Sequence, residues 1–134
     1  MQKILHIKLK QTDNDNAQLR YFFDNPNDYT ERNLKLESIQ TLIKDAETGY
    51  YTVLPADFVQ TGRKLYHWLD SADRFLVRAI EDCGRTDVLI LAISTEGKLA
   101  HLPWEVMHDG VSFFVQRKNP IIVPVRWKDV KLLT

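Results

Sequence analysis

Cysteine is almost absent from this chain, since Cys83 is the only one among 134 residues. A single cysteine excludes an internal disulfide framework and is typical of a reducing environment, so we expect a cytoplasmic protein. Glycine is also scarce. The five glycines are scattered singly, and they form neither a P-loop nor a dinucleotide-binding fingerprint.

An excess of charge and a long apolar run are absent too. Eighteen basic residues balance eighteen acidic ones, so no net field attracts the protein to nucleic acid or to an anionic membrane. The apolar N-terminus is interrupted by His6, Lys8 and Lys10, which leaves no segment long enough for a signal peptide or a membrane span. We expect residues 1–134 to form a single domain with no membrane partner.

Alternating patterns at the N-terminus predict two strands. Leu5, Ile7 and Leu9 share one face of residues 3–10, and residues 18–24 repeat this alternation. The intervening segment is rich in Asp and Asn, which favours a turn and an antiparallel hairpin.

Three helices are predicted next. The first is expected to start at Asp28, with Glu31 reaching back to complete a capping box, and to end at Gly49. The second follows Pro55 and carries Gly62, which costs about 1 kcal/mol relative to Ala inside a helix and so indicates a close packing contact. The third is expected to be capped by Ser71 and terminated by Gly84.

Strands dominate the remainder of the chain. Residues 88–93 form a continuous apolar run, which is typical of a central strand covered on both faces. Residues 111–116 and 121–126 are two further strand candidates, and Pro124 favours a sheet edge for the second. The predicted fold class is therefore α/β with a mixed sheet.

Residues able to perform chemistry are few. His101, His108 and Asp109 would need a distant further ligand, such as His67 or Cys83, to hold a metal. Cys83 would need a base such as His101, and the neighbouring Glu81 and Asp82 favour a raised thiol pKa rather than an activated one. We predict no metal site, no cofactor and no catalytic residue in this chain.

A basic and aliphatic segment near the C-terminus is a candidate partner surface. Its members of interest are Arg117, Lys118, Arg126 and Trp127. Such a segment suits a protein contact or a charge-guarded sheet edge better than nucleic acid.

The segment LPWE, residues 102–105, predicts a helix-to-strand corner. Pro103 suits the first turn of a short helix, and Trp104 has a large surface that should be buried. Glu105 either complements the helix dipole or pairs with an Arg. Asp109 and Gly110 form the turn that follows.

The order of LILAIS, LAHLPWEVMHDG, FFVQR and a strand ending in PVR resembles the N-terminal portion of CHAT domains, which are caspase-like and separase-like cysteine peptidases. The upstream segment KLYHWLDSADRFL is similar to the helix that precedes this strand in the family, so the resemblance covers residues 62–126. It implies a His/Cys dyad on a second, C-terminal half, in His-Gly and Ala-Cys contexts that this chain lacks.

The resemblance further implies that this chain is the non-catalytic, pseudo-protease half, and that Leu102, Pro103, Trp104 and Glu105 are structural residues at a corner facing the other half. Its expected partner is the peptidase half, in cis or as a separate chain, and an exposed apolar patch also permits a homodimer. The alternative is a stand-alone module that binds protein or nucleic acid through the basic C-terminal segment.

Overall fold

A computed structural model of the chain describes residues 2–47, 58–71, 73–109, 111–118 and 120–126. The expected helix boundary at Gly49, the connector with Pro55, the turn residue Gly110 and the surface residue Trp127 lie outside the described residues. The structure has a mixed α/β fold, as the sequence predicts, with one five-stranded sheet and three α-helices.

The strands are β1 (Gln2–Gln11), β2 (Asn16–Phe22), β3 (Thr30–Lys35), β4 (Val88–Glu96) and β5 (Ile121–Arg126). Their order across the sheet is β3-β2-β1-β4-β5. The first three pair antiparallel, whereas β4 lies parallel to both β1 and β5. The predicted N-terminal hairpin is therefore confirmed.

The helices are α1 (Gln40–Glu47), α2 (Phe58–Asp70) and α3 (Phe75–Glu81). Short 3-10 turns occupy Glu37–Ile39, Gly97–His101, Trp104–Val106 and Phe114–Gln116. The predicted second and third helices are thus confirmed, and the first is confirmed only in its later part.

The expectation of a helix starting at Asp28 is wrong. Residues 30–35 form β3, the edge strand beside β2. Leu34 and Leu36 are both buried in the core, and their spacing of two is that of a strand. Lys35 and the polar residues 31–33 are exposed, which suits an edge strand, and the pairing with β2 overrides the local capping signal.

Asp70, and not Ser71, caps α3. The Asp70 Oδ1 atom accepts hydrogen bonds from the Leu76 amide at 2.9 Å and the Val77 amide at 3.4 Å. The Ser71 hydroxyl instead donates to the Trp68 carbonyl at the end of α2. Arg74 makes the tight turn between the helices with a φ of 59°. The cap is thus carried by the last residue of the preceding helix.

One face of the sheet carries the main core. Leu5, Ile7 and Leu9 of β1 lie beside Leu91 and Ile93 of β4, and all five are buried. The helices α1, α2 and α3, between β3 and β4, and the 3-10 turns between β4 and β5 contribute buried side chains to this core.

The opposite face of the sheet is covered unevenly, since Ala92 of β4 is 1% exposed but its neighbours on the same side are less buried. Within the described residues, the apolar side chains of β4 on this side do not join the main core. Val88 and Ile90 are only half-buried, and in β5 Ile121 and Val123 are 45% and 37% exposed. We call the surface formed by Ile4, Val88, Ile90, Ile121 and Val123 the open face.

Candidate functional site

The LPWE corner lies inside the main core rather than on the surface. Leu102 and Pro103 are buried, and Trp104 is 1% exposed, which confirms the predicted burial. The indole Nε1 of Trp104 donates to the Leu99 carbonyl at 3.0 Å, so its one polar atom is satisfied. Pro103 is the N-cap residue of the 3-10 turn Trp104–Val106, one position before the first-turn place predicted for it, and the short helix is a 3-10 turn.

A second tryptophan supports the first. The ring of Trp68, on α2, lies 6.1 Å from the ring of Trp104. Its Nε1 atom donates to the Lys35 carbonyl at the end of β3. The pair therefore links the corner to α2 and to the edge of the sheet.

Gly62 lets α2 approach the corner closely. A Cβ atom at this position would overlap the Val106 carbonyl oxygen and lie 2.9 Å from the Val106 carbonyl carbon. The close contact predicted from the sequence is therefore confirmed, and its partner is the backbone that follows LPWE.

The arginine that pairs with Glu105 is Arg126. The Arg126 guanidinium pairs with both carboxylate oxygens of Glu105. It also donates to the carbonyls of Ala100 and Leu102, each at 2.8 Å. This cluster, which we call the Arg126 clamp, fixes the end of β5 to the corner, and the fork geometry of arginine suits such multiple contacts.

The segment after the corner is a pinned loop, not the predicted strand. Residues 111–116 contain a 3-10 turn at Phe114–Gln116, and only an isolated bridge joins His108 to Phe113. Asp109 fixes the conformation of the loop. Its Oδ1 atom accepts hydrogen bonds from the amides of Val111 and Ser112, and its Oδ2 atom is ion-paired with Arg117. These local bonds replace the strand ladder.

The contacts of Asp109 lower the pKa of its carboxyl group. Burial alone would raise the pKa of Asp109, but the amides of Ser112 and Val111 and the charge of Arg117 outweigh it and hold the pKa below its usual value. Asp109 is therefore ionised in the neutral range and acts as a fixed acceptor.

A cleft of about 520 Å³ between α2, α3 and the loop at Asp109 is lined by Tyr66, Asp70 and Asp109 among others. Burial, reinforced by the negative charge of Asp70, raises the pKa of Tyr66 to about 12. Its phenol stays protonated at neutral pH, so it cannot act there as a general base.

Two of the residues considered for chemistry, Cys83 and His108, take part in hydrogen bonding and packing, and the side chain of His101 lies outside the described part of the structure. Cys83 donates its thiol to the Ala79 carbonyl, and burial raises its pKa. His108 is 6% exposed and packs its ring edge-on against Phe113. Across the described part of the chain, no three His, Cys, Asp or Glu side chains come together as a metal-binding group.

Two of the basic residues of the candidate partner surface are already engaged. Arg126 belongs to the clamp, and Arg117 is paired with Asp109. Lys118 is exposed and lies at the bridge to Ile121. The spacing of 21 residues between Glu105 and Arg126 offers no local signal, so the sequence could predict an arginine partner but not which one.

Comparison with known proteins adds no relative. No family model matches the chain, and no curated protein or solved structure matches it significantly. Among the described helices, none is long and apolar enough to cross a bilayer.

Proposed function

We propose that this chain is the non-catalytic scaffold half of a CHAT-type, caspase-like cysteine peptidase, and that it packs against a C-terminal peptidase half. The observation that carries the proposal is the LPWE corner. All four of its residues have structural contacts. Leu102, Pro103 and Trp104 are buried, and Glu105 joins the corner to β5 through the Arg126 clamp.

A scaffold role suits the way the corner is built. Fully packed aromatic rings and saturated hydrogen bonds fix backbone geometry, whereas catalytic groups need access to a substrate. Arg126 is the last residue of β5, so the clamp fixes the end of that strand against the corner. We expect this to orient the peptidase half.

Catalysis is assigned to the second half. Cys83 is held as a protonated, half-buried thiol, and a thiolate is the form that attacks a peptide carbonyl. We propose a cytoplasmic location on the basis of the single free cysteine. The partner is the peptidase half, either on the same polypeptide or as a separate chain.

The alternative, a module that binds nucleic acid or protein through the basic C-terminal segment, receives less support. Arg117 is ion-paired with Asp109, and Arg126 is ion-paired with Glu105. A phosphate-binding surface needs cations that are available to the ligand.

The reading frame downstream of Thr134 and a reconstitution assay test the proposal. We expect a second half with His-Gly and Ala-Cys segments, and peptidase activity only when that half is combined with residues 1–134. Cys83→Ser should leave the activity of the combined protein unchanged. Peptidase activity in purified residues 1–134 that Cys83→Ser abolishes would contradict the proposal.

The Arg126 clamp can be tested in the same assay. Arg126→Lys keeps the charge but loses the fork that reaches the Ala100 and Leu102 carbonyls. We expect lower activity of the combined protein, with circular dichroism of residues 1–134 unchanged. The matched control is Arg20→Lys, because Arg20 on β2 and Glu31 on β3 form a pair of similar exposure. An equal loss of activity in both variants would contradict a specific role for the clamp.

A further inference from the structure

The cleft between α2, α3 and the loop at Asp109 holds polar groups that the fold leaves unpaired. Its walls include Tyr66, Asp70, Arg74 and Asp109, and we call it the Tyr66 cleft. Its volume of about 520 Å³ lies within the range of about 300–1,000 Å³ that is usual for small-molecule sites. The groups on its walls therefore indicate which kind of ligand it accepts.

Tyr66 presents an unused hydroxyl to the cleft. Its side chain is 7% exposed, and its ring packs edge-on against Phe114. The hydroxyl makes no hydrogen bond to a described residue. It is not sealed in the core either, since among the described side chains only Asp73 Oδ1 is both buried and unpaired. Because burial keeps the phenol protonated, the cleft contains an O–H donor without an acceptor.

Asp70 presents an unused carboxylate oxygen on the same wall. Tyr66 and Asp70 are four residues apart on α2, so their side chains lie on one face of the helix. Asp70 is also 7% exposed, and its Oδ1 atom already accepts the two α3 amides of Leu76 and Val77. Its Oδ2 atom accepts no hydrogen bond from a described residue and is not sealed from solvent. A carboxylate oxygen held this deeply is stabilised by a charged N–H donor.

Neighbouring cations do not fill this need. Arg74 acts on Asp70 only through its charge, and no hydrogen bond or ion pair between described residues joins them. Arg117 is already paired with Asp109. Burial raises the pKa of Asp70, and the α3 amides offset only part of that cost. Since Arg74 is exposed to water, the charge that lacks solvation is that of Asp70.

Other kinds of occupant fit the Tyr66 cleft less well. A metal ion needs a group of several ligands, and no three His, Cys, Asp or Glu side chains form one within the described ranges. An anion would meet the charge of Asp70, which acts on the Tyr66 hydroxyl more strongly than the charge of Arg74 does. One water molecule occupies about 30 Å³, a small part of the cleft.

The spacing of the two groups restricts the ligand further. Tyr66 and Asp70 do not hydrogen-bond to each other, which leaves room for a group between them. On a helix, side chains four residues apart have Cβ atoms about 5–6 Å apart. One small ligand therefore has to carry a charged donor and an oxygen acceptor close together. An α-amino carbonyl compound carries them on neighbouring carbon atoms.

We propose that the Tyr66 cleft binds a small α-amino compound, with its ammonium group on Asp70 Oδ2 and its adjacent carbonyl or carboxylate oxygen accepting a hydrogen bond from the Tyr66 hydroxyl. Free amino acids and the amino ends of peptides share this chemistry. The inference goes beyond the proposed function and does not depend on it, because both binding groups belong to this chain.

Titration of residues 1–134 with L-alaninamide, followed by NMR of the backbone amides, tests the proposal. The Leu76 and Val77 amides should shift to saturation, because they donate to the Asp70 carboxylate. N-acetyl-L-alaninamide keeps the oxygens but lacks the ammonium, so it should cause no such shift. L-alanine and tri-L-alanine amide distinguish the two sources. Tighter binding of the first assigns the cleft to free amino acids, and tighter binding of the second assigns it to peptide amino ends.

Two variants test the roles of the two side chains. Tyr66→Phe removes only the hydroxyl and should weaken L-alaninamide binding about threefold to tenfold, whereas ethylamine, which lacks the oxygen, should bind both proteins equally. Asp70→Asn keeps an oxygen for the α3 amides but loses the charge, so binding should weaken about tenfold or more. The matched control is Tyr29→Phe, because the Tyr29 ring contacts Arg20 outside the cleft.

Other outcomes overturn the proposal. Equal shifts with N-acetyl-L-alaninamide would show that the ammonium is not recognised. The absence of a saturable shift at any soluble concentration of L-alaninamide would mean that the cleft holds water only. An equal loss of affinity in Tyr29→Phe and Tyr66→Phe would place the binding elsewhere. If Asp70→Asn fails to fold, Tyr66→Phe still decides, because it breaks no hydrogen bond between described residues.

Discussion

At the scale of single residues, Gly62 sets two physical effects against each other. Gly62→Ala should gain about 1 kcal/mol of helix propensity. The new methyl group would overlap the Val106 carbonyl, which is backbone and cannot turn aside, so overpacking should dominate. We expect a net loss of about 2 kcal/mol in the free energy of unfolding, measured by urea denaturation.

The matched control for Gly62→Ala is Gly84→Ala. A Cβ atom on Gly84 would meet the Asp87 carboxylate at 3.4 Å, an ordinary contact. Its effect on the free energy of unfolding should stay within about 0.5 kcal/mol. A Gly62→Ala protein as stable as the wild type would mean that α2 and the corner are not in close contact.

At the scale of elements, the pinned loop of residues 109–118 makes stability depend on pH. Since the folded-state pKa of Asp109 lies below its ordinary value of 3.8, its contribution is complete above that value and is lost as the pH falls through the folded-state pKa. Asp109→Asn should therefore cost about 1–2 kcal/mol at neutral pH and progressively less in acid.

The measurement is the free energy of unfolding of both proteins between neutral and acidic pH. Asp28→Asn, at an exposed position before β3, serves as the control and should follow the wild-type curve. A constant difference between wild type and Asp109→Asn at every pH would show that the charge of Asp109 does not hold the loop.

The same elements show what the sequence could and could not predict. The hairpin and β4 follow from side-chain alternation and from an uninterrupted apolar run, which are strong local signals. The β3 strand has only Leu34 buried within it, and its pairing with β2 is a tertiary effect that overrides a plausible helix cap. The conformation of residues 111–116 depends on the hydrogen bonds of one side chain, Asp109. Those bonds leave no periodic pattern in the sequence.

Some features of the LPWE corner could also be predicted from the sequence, and others could not. Burial of Trp104 follows from its size, and the close contact at Gly62 follows from the cost of glycine in a helix. The partnership of Glu105 with Arg126 depends on the position of β5 in the sheet, which no local spacing encodes. The uneven cover of the open face, where Ala92 is buried but Val88 and Ile90 are not, follows from tertiary packing that the apolar composition of β4 does not encode.

At the scale of the whole molecule, a single core contains residues of every strand and α-helix that the structure describes. Leu5 of the hairpin lies beside Leu91, which follows it by more than half the chain, and both belong to the core that contains Trp68 and Trp104. We therefore expect residues 1–134 to unfold in one cooperative transition, as small single domains usually do.

Two probes test this cooperativity. In a Trp127→Phe background, tryptophan fluorescence reports on Trp68 and Trp104 in the corner, while far-ultraviolet circular dichroism reports on the helices and the sheet. Their urea midpoints should coincide, because β1 can bury Leu5, Ile7 and Leu9 only when the later elements are in place. If the fluorescence midpoint came clearly first, the corner would be a separate unit. The Arg126 clamp would then be too weak to transmit the position of the sheet to whatever follows it.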